Sequence, residues 1–148
     1  MNKDLQNLIT DVYDARAGQF EQLLFGYLGE VNGMRGTKYP LLVMLPPSSS
    51  YTDPYSNDEK YTCVFHCYDF NADALDNNKD MTTGLAFTLD NLKEKFKATI
   101  QALVKNNEDK YILSGGWQIE RVSREFNDNA VGIVCTIEIS AFTDCLLY

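Results

Sequence analysis

"GWQIERVSREFNDNAVGIVCTIEISAF", residues 116–142, decides the fold. Ile133, Cys135, Ile137 and Ile139 alternate with Val134, Thr136, Glu138 and Ser140, the two-residue period of a strand with one face turned inward. Asn127-Asp128-Asn129 is turn chemistry, and β-formers lie on both sides of it. The stretch predicts a β-hairpin, and it carries almost no group suited to catalysis. Its work is to hold a sheet together.

Upstream of the hairpin, Leu85, Leu89, Leu92, Phe96, Ile100 and Leu103 recur at steps of three and four, which predicts a long helix. Thr82 or Thr83 is available as its N-cap, and Lys93, Glu94, Lys95 and Lys97 form its polar face. "YTCVFHCYDF", residues 61–70, predicts a strand with Cys63, Phe65 and Cys67 on one face and Val64, His66, Tyr68 and Phe70 on the other. "YPLLVML" is a continuous apolar run closed by Pro46-Pro47, which fits a strand covered on both faces.

Near the start, Leu5, Leu8, Ile9, Val12, Phe20, Leu23, Leu24, Tyr27, Leu28 and Val31 follow helical spacing with one hole at Arg16. Residues 1–32 therefore read as a helical segment, with a kink or a break allowed at Gly18. Residues 46–60, rich in Pro, Ser, Asp and Asn, and residues 71–84 read as exposed loops. The sum is one α+β domain over residues 1–148, in the order α-β-β-α-β-β. It has a mostly antiparallel sheet of about four strands and helices packed on one face.

Thirteen basic against 21 acidic residues leave a net charge of −8. That balance disfavours a protein that grips nucleic acid, because such affinity comes mainly from Lys and Arg displacing counterions. "MNKDLQNLIT" lacks the apolar core of a signal peptide, and no apolar run reaches the roughly 20 residues of a membrane helix. The expectation is a cytoplasmic product without membrane partners, with its four cysteines reduced.

Candidate chemistry is thin. His66 is the only histidine, and strand alternation points it away from Cys63 and from its neighbour Cys67, so a thiol enzyme ranks lowest. Cys63 and Cys67 lie about 13 Å apart along a strand, too far to share a tetrahedral metal. In "DFNADALDNNKD", Asp69, Asn71, Asp73 and Asp80 fall at calcium-loop positions, but Ala74 replaces the turn glycine and no helix precedes. That stretch reads as a solvated turn. Gly115-Gly116 lacks the helix start and lysine of a phosphate loop, and Trp117 reads as a core or interface anchor. The expectation is no catalytic residue, no metal and no cofactor. Apolar residues on both faces of 61–70 leave a second possibility, a small apolar-ligand or peptide-binding module.

Taken together, "YPLLVMLPP", "VFHCYDFNADALDNNKD", the long helix and "WQIERVSREFNDNAVGIVCTIEISAFTDC" give a pattern that resembles the neck and tail-terminator-like ring proteins of tailed bacteriophages. The resemblance covers residues 39–145 most closely. In its many Asn, Asp, Tyr and Lys residues the chain also resembles proteins of crAss-like gut phages. The resemblance implies a tail-terminator-like fold and a noncatalytic virion protein. Six or twelve copies would close a ring at the head-to-tail junction or the top of the tail. Portal, neck or tail proteins would flank it, and DNA would pass through without specific binding. Assembly in the host cytoplasm would precede residence in the virion. On this reading Tyr51, Tyr55, Asp73, Asp76, Asn127 and Asp128 are the candidate intersubunit residues. The short C-terminus, ending at Tyr148, and the long loop at 46–60 depart from the pattern and leave the level of the ring undecided.

Overall fold

Thirteen consecutive residues of "DEKYTCVFHCYDF" pair with thirteen of "AVGIVCTIEISAF", and the rest of the domain is built on that ladder. The computed structural model describes residues 4–27, 38–51, 58–70, 81–108, 110–125 and 130–142. In chain order these form α1 (Asp4–Ala15), β1 (Gln22–Phe25), β2 (Leu41–Met44), β3 (Ser48–Ser50) and β4 (Asp58–Phe70). There follow α2 (Met81–Asn106), β5 (Tyr111–Glu125) and β6 (Ala130–Phe142).

The fold is α+β, and its sheet is larger than sequence periodicity predicts. Six strands run in the order β1-β2-β4-β6-β5, with β3 also paired to β4. All pairs are antiparallel except β1 with β2. The order α-β-β-α-β-β is thus corrected to α-β-β-β-β-α-β-β among the described residues.

The first additional strand replaces the second half of the expected N-terminal helix. After Ala15 the amides of Gln19 and Phe20 both turn back to the Arg16 carbonyl, and Gly18 sits at a φ of 82°, open to glycine without steric cost. The chain then runs extended, and β1 lies parallel to β2 from Gln22↔Leu41 to Phe25↔Met44. Bonds from Glu21 N to Pro40 O and from Gly26 N to Met44 O carry the ladder past both ends. Leu23 and Leu24 satisfy a helical spacing, but tertiary pairing overrides that weak local preference.

The other added strand lies inside the expected loop 46–60. β2 and β3 form one interrupted strand along the edge of β4 away from β6, because Met44 faces Phe65 and Ser48 faces Thr62. Three residues, Leu45 to Pro47, span what two span on β4, which is a bulge. Pro46 and Pro47 have no N–H to give the ladder, whereas Leu45 still donates to Val64 O at 3.1 Å. β3 is exposed, as a loop would be, yet paired; residues 52–57 lie outside the described residues.

Both helices cover the same face of the sheet. Leu8 and Val12 of α1 meet Leu92, Phe96, Ile100 and Leu103 of α2 over Phe65, Cys67, Ile133, Cys135 and Ile137. Phe96 is central, with its ring 5.3 Å from that of Phe65 and 5.6 Å from the indole of Trp117, the latter edge-on. Thr82 and Thr83 lie within α2, which begins at Met81, so neither serves as its N-cap.

A smaller cluster of Leu41, Val43 and Tyr68 occupies the opposite face, with Leu24, Tyr39 and Leu45 against it. Tyr68 faces Gly132 across the ladder. A methyl on Gly132 would come within 2.3 Å of the Cys67 carbonyl oxygen and 2.5 Å of the Tyr68 ring. Glycine is therefore required here for space. Gly132→Ala is expected to lower stability by about 1–3 kcal/mol, the usual cost of overpacking, as a reduced urea midpoint with unchanged slope. A midpoint equal to that of the native chain would contradict this packing.

Candidate functional site

The chemistry-bearing side chains are spent on structure. Cys63, Cys67 and Cys135 are free thiols buried on the helix-covered face. Burial pushes Cys63 up to about 12, and burial together with the neighbouring Cys135 holds Cys67 well above the usual thiol range. Neither makes a nucleophile at neutral pH. Cys145 lies outside the described residues.

His66 faces the other way, as strand alternation requires. Its Nδ1 lies 2.7 Å from the hydroxyl of Tyr68, two residues on along the same face. Burial lowers its pKa from the ordinary value, since the imidazolium is poorly solvated there. Cysteine and histidine thus sit on opposite faces of β4, and no nucleophile–base pair forms between them.

Of the candidate contact residues, Tyr51 is placed. Its ring is 54% exposed, but its hydroxyl donates to Glu59 Oε1 at 2.8 Å, and Tyr61 donates to the same oxygen at 3.0 Å. Glu59 is itself buried, so two phenols stabilise a carboxylate that sequence reading passed over. Tyr55, Asp73, Asp76, Asn127 and Asp128 lie outside the described residues, as do 71–80 of the calcium-like stretch. Among the described residues no group of three or more His, Cys, Asp or Glu is arranged to hold a metal.

What the sheet does present is two unlike ends. Among the described strands β1, of four residues, pairs with β2 alone, and its last residue Phe25 and nearby Tyr27 are exposed. At the far end β5 has 15 residues and pairs with β6 alone among the described strands. Its register shifts between Ser114 and Gln118, where Gly115 takes a φ of 72°, and again between Val122 and Glu125. Bulges and the charges of Glu120 and Arg121 are ordinary protection for an edge. Ile112, half exposed, stands at its start.

A surface cavity of about 210 Å³ opens beside the first bulge, lined by Thr62, Gln118, Thr136 and Glu138. A second, of about 270 Å³, lies by the α1–β1 turn. Both linings mix polar and apolar groups, and of the two apolar faces of 61–70 that motivated a ligand-binding module, the one carrying Cys63, Phe65 and Cys67 is filled by α1 and α2. No described helix is long and apolar enough to cross a membrane. No protein-family profile matches the chain, and no curated protein is similar to it in sequence.

The depressed His66 pKa has a definite sign. A group that is harder to protonate in the native state favours folding above its unfolded pKa of about 6.5, and that contribution is lost as pH falls through and below this value. The urea midpoint of the native chain is expected to fall between pH 7.5 and pH 5.5 by more than that of His66→Gln. Equal losses in both proteins would show that His66 plays no such part.

Proposed function

We propose that the chain is a noncatalytic virion protein of a tailed phage. In this reading its copies close a ring at the head-to-tail junction or the top of the tail. The observation that carries the reading is the open sheet with unlike ends. A ring is made by heterologous contacts, in which one surface of a subunit meets a different surface of the next. A short apolar edge at β1, flanked by exposed Phe25 and Tyr27, and a long bulged edge at β5 are two such different surfaces on opposite sides of one domain. Edge strands accept neighbours readily because their backbone groups are oriented for pairing.

Two further features support it. Cys63, Cys67 and Cys135 are buried in the core, and His66 is partnered by the Tyr68 hydroxyl. The net charge of −8 suits a channel through which DNA slides, since excess carboxylate repels phosphate. Flanking portal, neck or tail proteins belong to the same proposal, as does a crAss-like gut phage as its source.

The test pairs native mass spectrometry of the purified chain, over a concentration series, with mass spectrometry of purified virions. A closed species of six or twelve copies, or the chain present in virions at that multiple per particle, is expected. Monomer at every concentration together with absence from virions would overturn the proposal.

A further inference from the structure

The two end strands of the sheet run in opposite directions. β1 is parallel to β2, and three antiparallel steps, β2 to β4, β4 to β6 and β6 to β5, separate β2 from β5. Two copies set side by side, with their helices on the same side, therefore bring β1 of one against β5 of the other as an antiparallel pair.

Backbone groups alternate in direction along each strand. Leu45 N donates to Val64 O, so Val64 turns its N–H and C=O toward β2 and Phe65 turns its own toward β6. Phe65 faces Cys135, which leaves Val134 and Thr136 to bond Glu120 and Gln118 of β5. Ile119 and Arg121 hence direct their N–H and C=O groups away from the sheet. On β1, Gly26 N donates to Met44 O, and the same alternation turns Leu23 and Phe25 outward.

These outward groups stand level with one another. One row of partners runs Phe25, Met44, Phe65, Cys135, Ile119, and another Leu23, Leu42, Cys67, Ile133, Arg121. β1 has four residues, and the stretch of β5 level with it, Gln118–Val122, is the regular run between the two register shifts. Charge agrees with this match. Glu21 and Arg121 are both exposed, and the ion pair found among the described residues joins Lys110 to Asp11 instead. Leu23 opposite Arg121 brings Glu21, two residues earlier, to the diagonal position beside that arginine, within reach of long side chains.

Resting on the ring reading, we infer that β1 of one copy pairs antiparallel with Gln118–Val122 of β5 in the next. Phe25 lies opposite Ile119 and Leu23 opposite Arg121, and Glu21 meets the Arg121 guanidinium across the join. A rotation that closes a ring carries no translation along its axis, so with strands along that axis each row continues level from copy to copy.

The test is sedimentation velocity of the full chain over a concentration series. Arg121→Pro removes an N–H that points away from β6, so its urea midpoint, taken where the chain is monomeric, stays near the native one. Affinity between copies is expected to fall about tenfold or more, the effect of a lost backbone bond and its stranded acceptor. Glu21→Arg and Arg121→Glu should each weaken association by about threefold or more, and the chain carrying both should recover it. Association unchanged by Arg121→Pro, or a double variant no better than the single ones, overturns the pairing and leaves the ring reading standing. Monomer at every concentration also overturns the pairing, whereas the ring reading falls with it only when the chain is absent from virions as well.

Discussion

The antiparallel ladder of β4 with β6 is the constraint on which the rest of the structure depends. From Asp58↔Phe142 to Phe70↔Ala130 it runs without a register shift. Side-chain direction alternates along a strand, so one slip would turn Cys63, Phe65 and Cys67 out of the core and bring Val64 and His66 into it. Both helices, the Phe65–Phe96–Trp117 stack and the buried thiols follow from that single register. The bulges that relieve the sheet fall elsewhere, at Pro46-Pro47 beside β4 and at Gly115 on β5.

Function follows from what the ladder leaves at the margins. Its middle is sealed by helices on one side and, toward β2, by Tyr68 lying across Gly132 on the other. Among the described strands the sheet then ends in two dissimilar edges, β1 and β5. Burial raises the thiols of Cys63 and Cys67 and lowers the imidazole of His66, so each is shifted toward its neutral form.

How much of this was legible in the sequence depends on how local each signal is. The closing hairpin, the helix through Leu92, Phe96 and Ile100 and the two faces of 61–70 were legible, because each carries its period over many residues. β1 was hidden, since four residues of strand within a three-and-four spacing look helical until β2 pairs with them. β3 was hidden by its composition: Ser48–Ser50 has turn chemistry, and its strand character is imposed by β4. Arg16 appeared as a gap in a pattern, and its role in the α1–β1 turn needed the Phe20 carbonyl and the Tyr13 ring brought to it by the fold. Tyr51 was chosen for its exposure, and the buried carboxylate that fixes its hydroxyl was visible only once β3 lay against β4.

Native-state hydrogen exchange, resolved by strand, tests the central ladder most directly. Amides of β4 and β6 that pair with each other should exchange only through global unfolding, with the free energy measured by urea denaturation, while amides on the outer edge of β5 exchange far faster. Exchange from the β4–β6 rungs as fast as from the edge of β5 would contradict the account, because the element on which the core is registered would then open before the parts it supports.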